Sequence, residues 1–295
     1  MKNLIRIVTF SLWAVGAFGQ SLSPVRSPSG MRLVVDDQKA PNLSVILPGA
    51  TEEDKSIEVI FPEHVTARLH GSTEAEHVYL SSSSLGNRPS WHQTGSSLEY
   101  EMDLKGGIHF LARAVLQDDG VLFHYEFTNR SQKAYDMIYA PTDPRLTGIF
   151  HDVRLERTYV HHKQGFDLLA SETPGRLRMP LNQWLPSRYL ASYTWPVPQQ
   201  RVEHRDDGIT YYNKSQPVDE PMVATLSTDR KWVVASFTRT TGNVWSNPEL
   251  TCQHVDPETA LPAGAKATME VKLLVFRGTL DDALQKVIAQ RNTLN

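Results

Sequence analysis

The stretch NPELTCQHVDP, residues 247–257, holds a carboxylate at Glu249, the chain's only cysteine at Cys252, an imidazole at His254 and a second carboxylate at Asp256. A carboxylate and an imidazole side by side are the tools of general acid–base chemistry. A thiol beside a histidine is the raw material of a nucleophile. Nothing near Cys252 in sequence would make it a thiolate, so it reads as a small, partly buried strand residue.

A second dense region is YAPTDPRLTGIFHDVRLERTYVHHKQG, residues 139–165, with Asp143, Arg145, His151, Asp152, Arg154, Glu156, Arg157 and Tyr159. These side chains either line a polar groove or form solvated strand faces rimmed by ion pairs. Alternation through 153–160 sets Arg157 among Val153, Leu155 and Tyr159. A charged group among apolar neighbours needs a partner, which favours the groove. Trp184, Trp195 and Trp245 stand in Pro-rich, loop-like surroundings. Exposed indoles beside polar groups suit the CH-rich faces of sugars; the alternative is that they plug the ends of the fold. No metal is expected: His161 and His162 are adjacent, and neighbours on a strand point to opposite faces. No cofactor is expected either, since the chain has no Gly-rich phosphate loop, no G-x-S-x-G elbow and no H-E-x-x-H pair.

The elements that must position these groups are mostly strands. In residues 108–116, Ile108, Phe110, Ala112, Ala114 and Leu116 share one face and His109 and Arg113 the other. Asp118-Asp119-Gly120 reads as a tight turn, after which Val121, Phe123, Tyr125 and Phe127 alternate with polar residues. The same triplet recurs at Asp206-Asp207-Gly208, between strands expected over 200–205 and 209–213. Another turn is expected over 227–231, leading into a strand over 232–238, and a late strand spans 267–276. One segment reads as helix. Thr279 caps it with Asp282 at the third position, and Leu280, Ala283, Leu284, Val287 and Ile288 fall on one face. Many strands, tight turns and one C-terminal helix predict an all-β chain, a large antiparallel β-sandwich.

Composition narrows the function. The 295 residues are 40% hydrophobic with a net charge of −3. No basic run exists to hold phosphates, so nucleic acid is not an expected partner. Lys2 and Arg6 flank the start of an apolar run over 7–18, and Ala17 and Gly19 fit a signal-peptidase site. The run is short for a membrane span, although an N-terminal anchor is the alternative. The expected division is a signal peptide over 1–19, a linker or N-terminal segment over 20–48 with an early strand near 31–35, and one β-sandwich domain over 49–295. The expected location is secreted or periplasmic, with no membrane attachment after cleavage. A single cysteine allows no internal disulfide, so the core must hold the fold.

The stretch TCQHVDPETALPAGAKATMEVKLLVF resembles the C-terminal part of galactose mutarotase-like (aldose 1-epimerase) proteins. Gln253, Asp256-Pro257 and Leu261-Pro262-Ala263-Gly264 match in order, with Asp and Pro reversed. The earlier stretch VLFHYEFTNRSQKAYDMIYAPTDPRLTG looks like the strand–turn–strand that leads to the family's T-H-x-Y-F-N-L motif, with counterparts at Thr142 and Leu146. The resemblance implies a β-supersandwich. It also implies an active site in which a glutamate removes the anomeric hydroxyl proton and a histidine protonates the ring oxygen. Placing Gln253 on the family's glutamine puts Thr251 at the position of the base, and Asp143 falls at or near the histidine. The catalytic candidates are therefore Glu249, His254, Asp143 and His151, with Arg145, Arg157, Tyr159, Trp245 and Trp184 binding substrate.

Three functions follow. The first is an exported protein that binds or modifies carbohydrate, a mono- or oligosaccharide, without mutarotase activity. The second is a non-catalytic envelope scaffold. The third is a lyase or hydrolase of acidic polysaccharides, using Arg145, Arg154 and Arg157 against substrate carboxylates.

Overall fold

The computed structural model describes residues 22–36, 41–51, 57–79, 89–174, 184–189, 202–204, 208–240 and 243–295. Its spine is a nine-stranded sheet in the order Gly165–Leu168, Thr158–His162, Met222–Leu226, Trp232–Thr238, Lys266–Arg277, Gly120–Asn129, Ile108–Gln117, Ser97–Leu104, His92–Thr94. Every pairing in it is antiparallel.

The alternation read from sequence sets the two faces of this sheet. Phe110, Phe123, Tyr125, Phe127, Val234, Val271 and Leu273 point into the main core. Ala224, Ala235, Phe237 and Leu274 point the other way. The helix Leu280–Gln290 covers that second face with Ala283 and Val287, and Thr279 and Asp282 form the expected capping box. Ile288, expected on the packed face, is 47% exposed instead. The expected hairpins at 118–120 and 227–231 are present. Gly120 is required by more than its turn: a Cβ there would sit 1.9 Å from the carbonyl oxygen of Leu273 on the next strand. The turn at 206–207 lies outside the described residues, but its flanking strands Val202–His204 and Thr210–Asn213 pair as a hairpin.

Three smaller sheets complete the sandwich. One has five strands: Val25–Arg26, Arg32–Val35, Asn42–Ile46, Ile57–Ile60 and Asp143–Leu146. The segment 20–48 is thus more than a linker with one strand, because Leu33, Leu43 and Val45 are fully buried core residues. A four-stranded sheet runs Glu258–Leu261, Tyr135–Tyr139, His64–Leu69, Glu76–Tyr79. Another runs Val202–His204, Thr210–Asn213, Trp184–Tyr189, Asn243–Trp245. The last contains the parallel pair Trp184–Tyr189 with Thr210–Asn213. This is the large antiparallel β-sandwich with a C-terminal helix that the sequence predicts.

A buried carboxylate–imidazole cluster as candidate functional site

The stretch 247–257 is two structures in succession. Residues 248–250 form a turn, closed by Thr251 N–H donating to the Asn247 carbonyl at 2.7 Å. Thr251 takes a positive φ of 49°. Residues 252–256 then run between two sheets. On one side Leu146 N–H bonds the Thr251 carbonyl and Gln253 N–H bonds the Pro144 carbonyl, which sets Cys252 opposite Arg145. On the other side Trp245 and His254 exchange both backbone hydrogen bonds, at 3.2 and 3.1 Å. Side chains at 252, 254 and 256 share one face because a strand repeats every two residues. The same spacing aligns Asp143 with Arg145.

These registers assemble a buried cluster. His254 Nε2 lies 3.3 Å from Asp143 Oδ1, and its Nδ1 lies 3.2 Å from Asp256 Oδ1. Trp245, opposite His254, stacks on the imidazole with ring centroids 3.9 Å apart and planes 6° from parallel. The indole Nε1–H donates to Asp256 Oδ2 at 2.7 Å, and Asn243 Nδ2 donates to the same oxygen at 3.3 Å. Arg145 Nε donates to Asp143 Oδ2 at 2.7 Å. Asp143, Cys252, His254 and Asp256 are each at most 2% exposed.

Charge is shared tightly in this space. Burial opposes ionisation of His254, yet the carboxylates of Asp256 and Asp143 on its two ring nitrogens outweigh it and hold the imidazolium above its ordinary range. Burial likewise opposes the Asp143 carboxylate, but His254 and Arg145 bring it below its ordinary value. Burial and the charge of Asp143 raise Glu63. Burial pushes His64 down to about 4, aided by His77. Burial also raises the Cys252 thiol. Two carboxylates pushed apart in one neighbourhood, Glu63 up and Asp143 down, are a pattern suited to proton transfer. Donor atoms of Asp143, Cys252 and His254 lie within 4.8 Å of one another, so these three are also able to hold a metal ion.

The structure therefore brings together Asp143, Arg145, Trp245 and His254 of the expected site residues. Glu249 is exposed on the 248–250 turn. His151 is exposed on a loop, its Nδ1 3.1 Å from the Leu146 carbonyl. Thr251 Oγ1 accepts from Asp152 N–H at 3.0 Å and lies 3.4 Å from His151 Nδ1. Arg157 is not in a groove. Residues 153–157 are loop and turn, the strand starts at Thr158, and Leu155 has a φ of 52°. The Arg157 guanidinium bonds the carbonyls of Leu226, His151 and Ile149 at 2.5, 2.5 and 3.3 Å. Its partners are these carbonyls and the buried Asp152 carboxylate, 3.9 Å from Nε, and its role is to hold the loop on the sheet. Tyr159 packs in the apolar cluster under the helix. Trp184 opens the strand Trp184–Tyr189, which pairs with Asn243–Trp245. Trp195 lies outside the described residues.

Asp256, Glu63 and His64 belong to the cluster although sequence reasoning did not select them. Asp256 had a signal: it stands two residues from His254, on the same strand face. Glu63 and His64 had none, because a distant segment carries them. Gln253 points away from the cluster into the large sheet. It accepts from Ser236 and donates to Thr225 and the Val234 carbonyl at 2.9 to 3.1 Å, so it acts as a buried pin. A cavity of about 300 Å³ lies elsewhere, on Val65, Ala67 and Leu69 with Leu104, Ile108 and Tyr135. It uses the face of the His64–Leu69 strand opposite to His64, away from the acid–base groups.

No protein-family model matches the chain, and no curated protein matches it. Solved structures do. A galactose mutarotase-like protein from Lactobacillus casei ATCC 334 is 12% identical, with a TM-score of 0.50 over 86% of this chain and 99% of that one. The alpha-N-acetylgalactosaminidase NagBb from Bifidobacterium bifidum, in complex with GalNAc, is also 12% identical, with a TM-score of 0.50. That match covers 92% of this chain and 39% of the other.

Proposed function

We propose that this chain, whose fold is galactose mutarotase-like, is an exported carbohydrate-handling protein that binds a mono- or oligosaccharide at the mouth of the Asp143–His254–Asp256 cluster. One observation carries the reading. The cluster is sealed, but Glu63 and Arg145 extend its charges outward, their side chains 34% and 31% exposed. A carboxylate and a guanidinium close enough to feel each other's charge can hold adjacent sugar hydroxyls, and the half-buried Trp245 adds an indole on the His254 side of the same cluster. That a protein which shares this fold over 39% of its chain is in complex with GalNAc supports the ligand class.

Mutarotation is not part of the reading. The resemblance puts Thr251 at the position of the base, and its hydroxyl already accepts from Asp152 N–H. Glu249, the nearest carboxylate in sequence, is exposed on its turn. The acidic-polysaccharide reading has less support, because Arg157, one of the three arginines it needs, is bonded to backbone carbonyls.

The test is a glycan array and calorimetric titration with galactose, GalNAc and their oligosaccharides. Arg145→Ala is expected to weaken binding roughly tenfold, the loss of one charge-assisted bond worth about 1.5 kcal/mol. Trp245→Ala is expected to weaken it as well. Polarimetry on common hexoses is expected to show only the buffer rate. Clear mutarotation would overturn the reading of Thr251, and silence on every glycan would turn the assignment to a scaffold. Export predicts a first residue near Gln20 after periplasmic expression, and an intact Met1 would count against it.

A further inference from the structure

We propose that Asp143, Cys252 and His254 form a binding site for a divalent transition-metal ion of the zinc class. The proposal shares residues with the sugar reading but does not depend on a sugar. The sequence offered no metal motif, because the three donors come from two segments more than a hundred positions apart.

Geometry comes first. His254 Nε2 and Asp143 Oδ1 are 3.3 Å apart, and two donors at ~2.0–2.1 Å from a tetrahedral metal span about that distance. One donor atom from each of the three residues falls within 4.8 Å of the others. The backbone fixes all three, since the 251–256 segment is bonded to strands on both sides.

Each donor also has the outer partner that metal ligands carry. His254 presents Nε2 to the site while Asp256 faces Nδ1, and Asp256 is held in turn by Trp245 and Asn243. A carboxylate behind a ligating imidazole fixes its orientation and raises its basicity. Arg145 takes Asp143 Oδ2 and leaves the buried Oδ1 turned toward His254 Nε2, the two donor atoms a metal would bridge. Cys252 Sγ accepts the Asn247 N–H at 3.3 Å, an interaction that suits a thiolate.

Charge balances. The metal displaces the Nε2 proton of the imidazolium and the thiol proton of Cys252, both released to solvent. Two protons leave and one dication enters, so the buried net charge is unchanged. Mixed sulfur, nitrogen and oxygen donors suit zinc and its neighbours. Magnesium and calcium prefer oxygen alone.

The experiment uses the full chain, stripped with EDTA and desalted. Zn²⁺ is expected to be retained at one equivalent after a second desalting. Co²⁺ is expected to give a thiolate-to-cobalt charge-transfer band with intense tetrahedral d–d bands. Cys252 is the chain's only cysteine, so that band identifies the site from the wild-type protein alone, whether or not variants fold. Cys252→Ser should abolish the band and weaken zinc at least tenfold, and Asp143→Asn should also weaken zinc. Wild-type protein with neither retained zinc nor the cobalt band overturns the proposal. So does folded Cys252→Ser protein with wild-type zinc affinity, which would place the ion on other histidines. Sugar appears in no arm, so glycan binding by a protein that takes no metal would sink this proposal and leave the sugar reading standing.

Discussion

His64 shows how burial, aided by a like charge, reshapes a residue. Its side chain is 13% exposed, and its pKa is driven from an ordinary value near 6.5 to about 4 by burial and by His77. The unfolded chain binds a proton at His64 between about pH 6.5 and 4 while the folded chain does not. Folding is therefore penalised as pH falls through that window, and stability rises with pH across it. His64→Gln is expected to lose less melting temperature between pH 7 and pH 5 than the wild type. The wild-type His64 ring proton should show no NMR titration above about pH 5. A midpoint near 6.5 would place His64 in solvent and refute its burial. At the same scale Thr251 has a committed hydroxyl and a left-handed backbone, an arrangement that periodicity could not anticipate.

Elements were the legible level. The 108–129 hairpin and the capped helix could be read because each has one wet and one dry face, and the pattern of residues records that difference. The 153–157 stretch misled for the same reason. Its alternating Val, Arg, Leu, Glu and Arg imitates a strand, whereas Asp152 accepts the Glu156 and Arg157 amides and folds the segment into a loop. A more informative element contact is the one between the Asp118-Asp119 turn and the helix. Lys272, 1% exposed, donates to Asp119 Oδ1 at 2.8 Å, while Lys286 and Gln290 of the helix donate to Oδ2 at 3.2 and 3.0 Å. Burial opposes the Asp119 charge, but these donors hold its pKa at about 2. Asp119→Ala removes the counter-charge of a buried ammonium, leaving Lys272 only the Gln117 amide oxygen, and unties the helix in one change. Chemical denaturation should show a loss of about 3 kcal/mol, the usual cost of removing one partner of a buried pair. A change below about 1 kcal/mol would mean that water reaches Lys272 in the folded protein.

At the scale of the whole molecule, the site was legible only in part, for a physical reason. The spacings Asp143-x-Arg145 and Cys252-x-His254-x-Asp256 put each set on one strand face, and that much is local. Their meeting depends on the cross-strand register between Asp143–Leu146 and residues 251–256 and on the Trp245–His254 pair, neither of which is written in either segment alone. The molecule also keeps the site and the helix on different faces of its large sheet. The main core, with Phe123, Tyr125 and Val271, backs the small sheets that carry the cluster. The second core, with Met222, Phe237 and Leu274, is closed by the helix through Ala283 and Val287. If the two faces are energetically separable, spoiling one should spare the other. Val287→Asp buries a carboxylate with no designed partner, a cost of several kcal/mol that undocks the helix. We expect a rise in ANS fluorescence as Phe237 and Leu274 become exposed, together with a retained far-UV strand signal. The Trp245 emission should stay unchanged, because its stack on His254 lies on the opposite face. Loss of the strand signal along with the helix would show that the nine-stranded sheet folds as one unit with both of its covers.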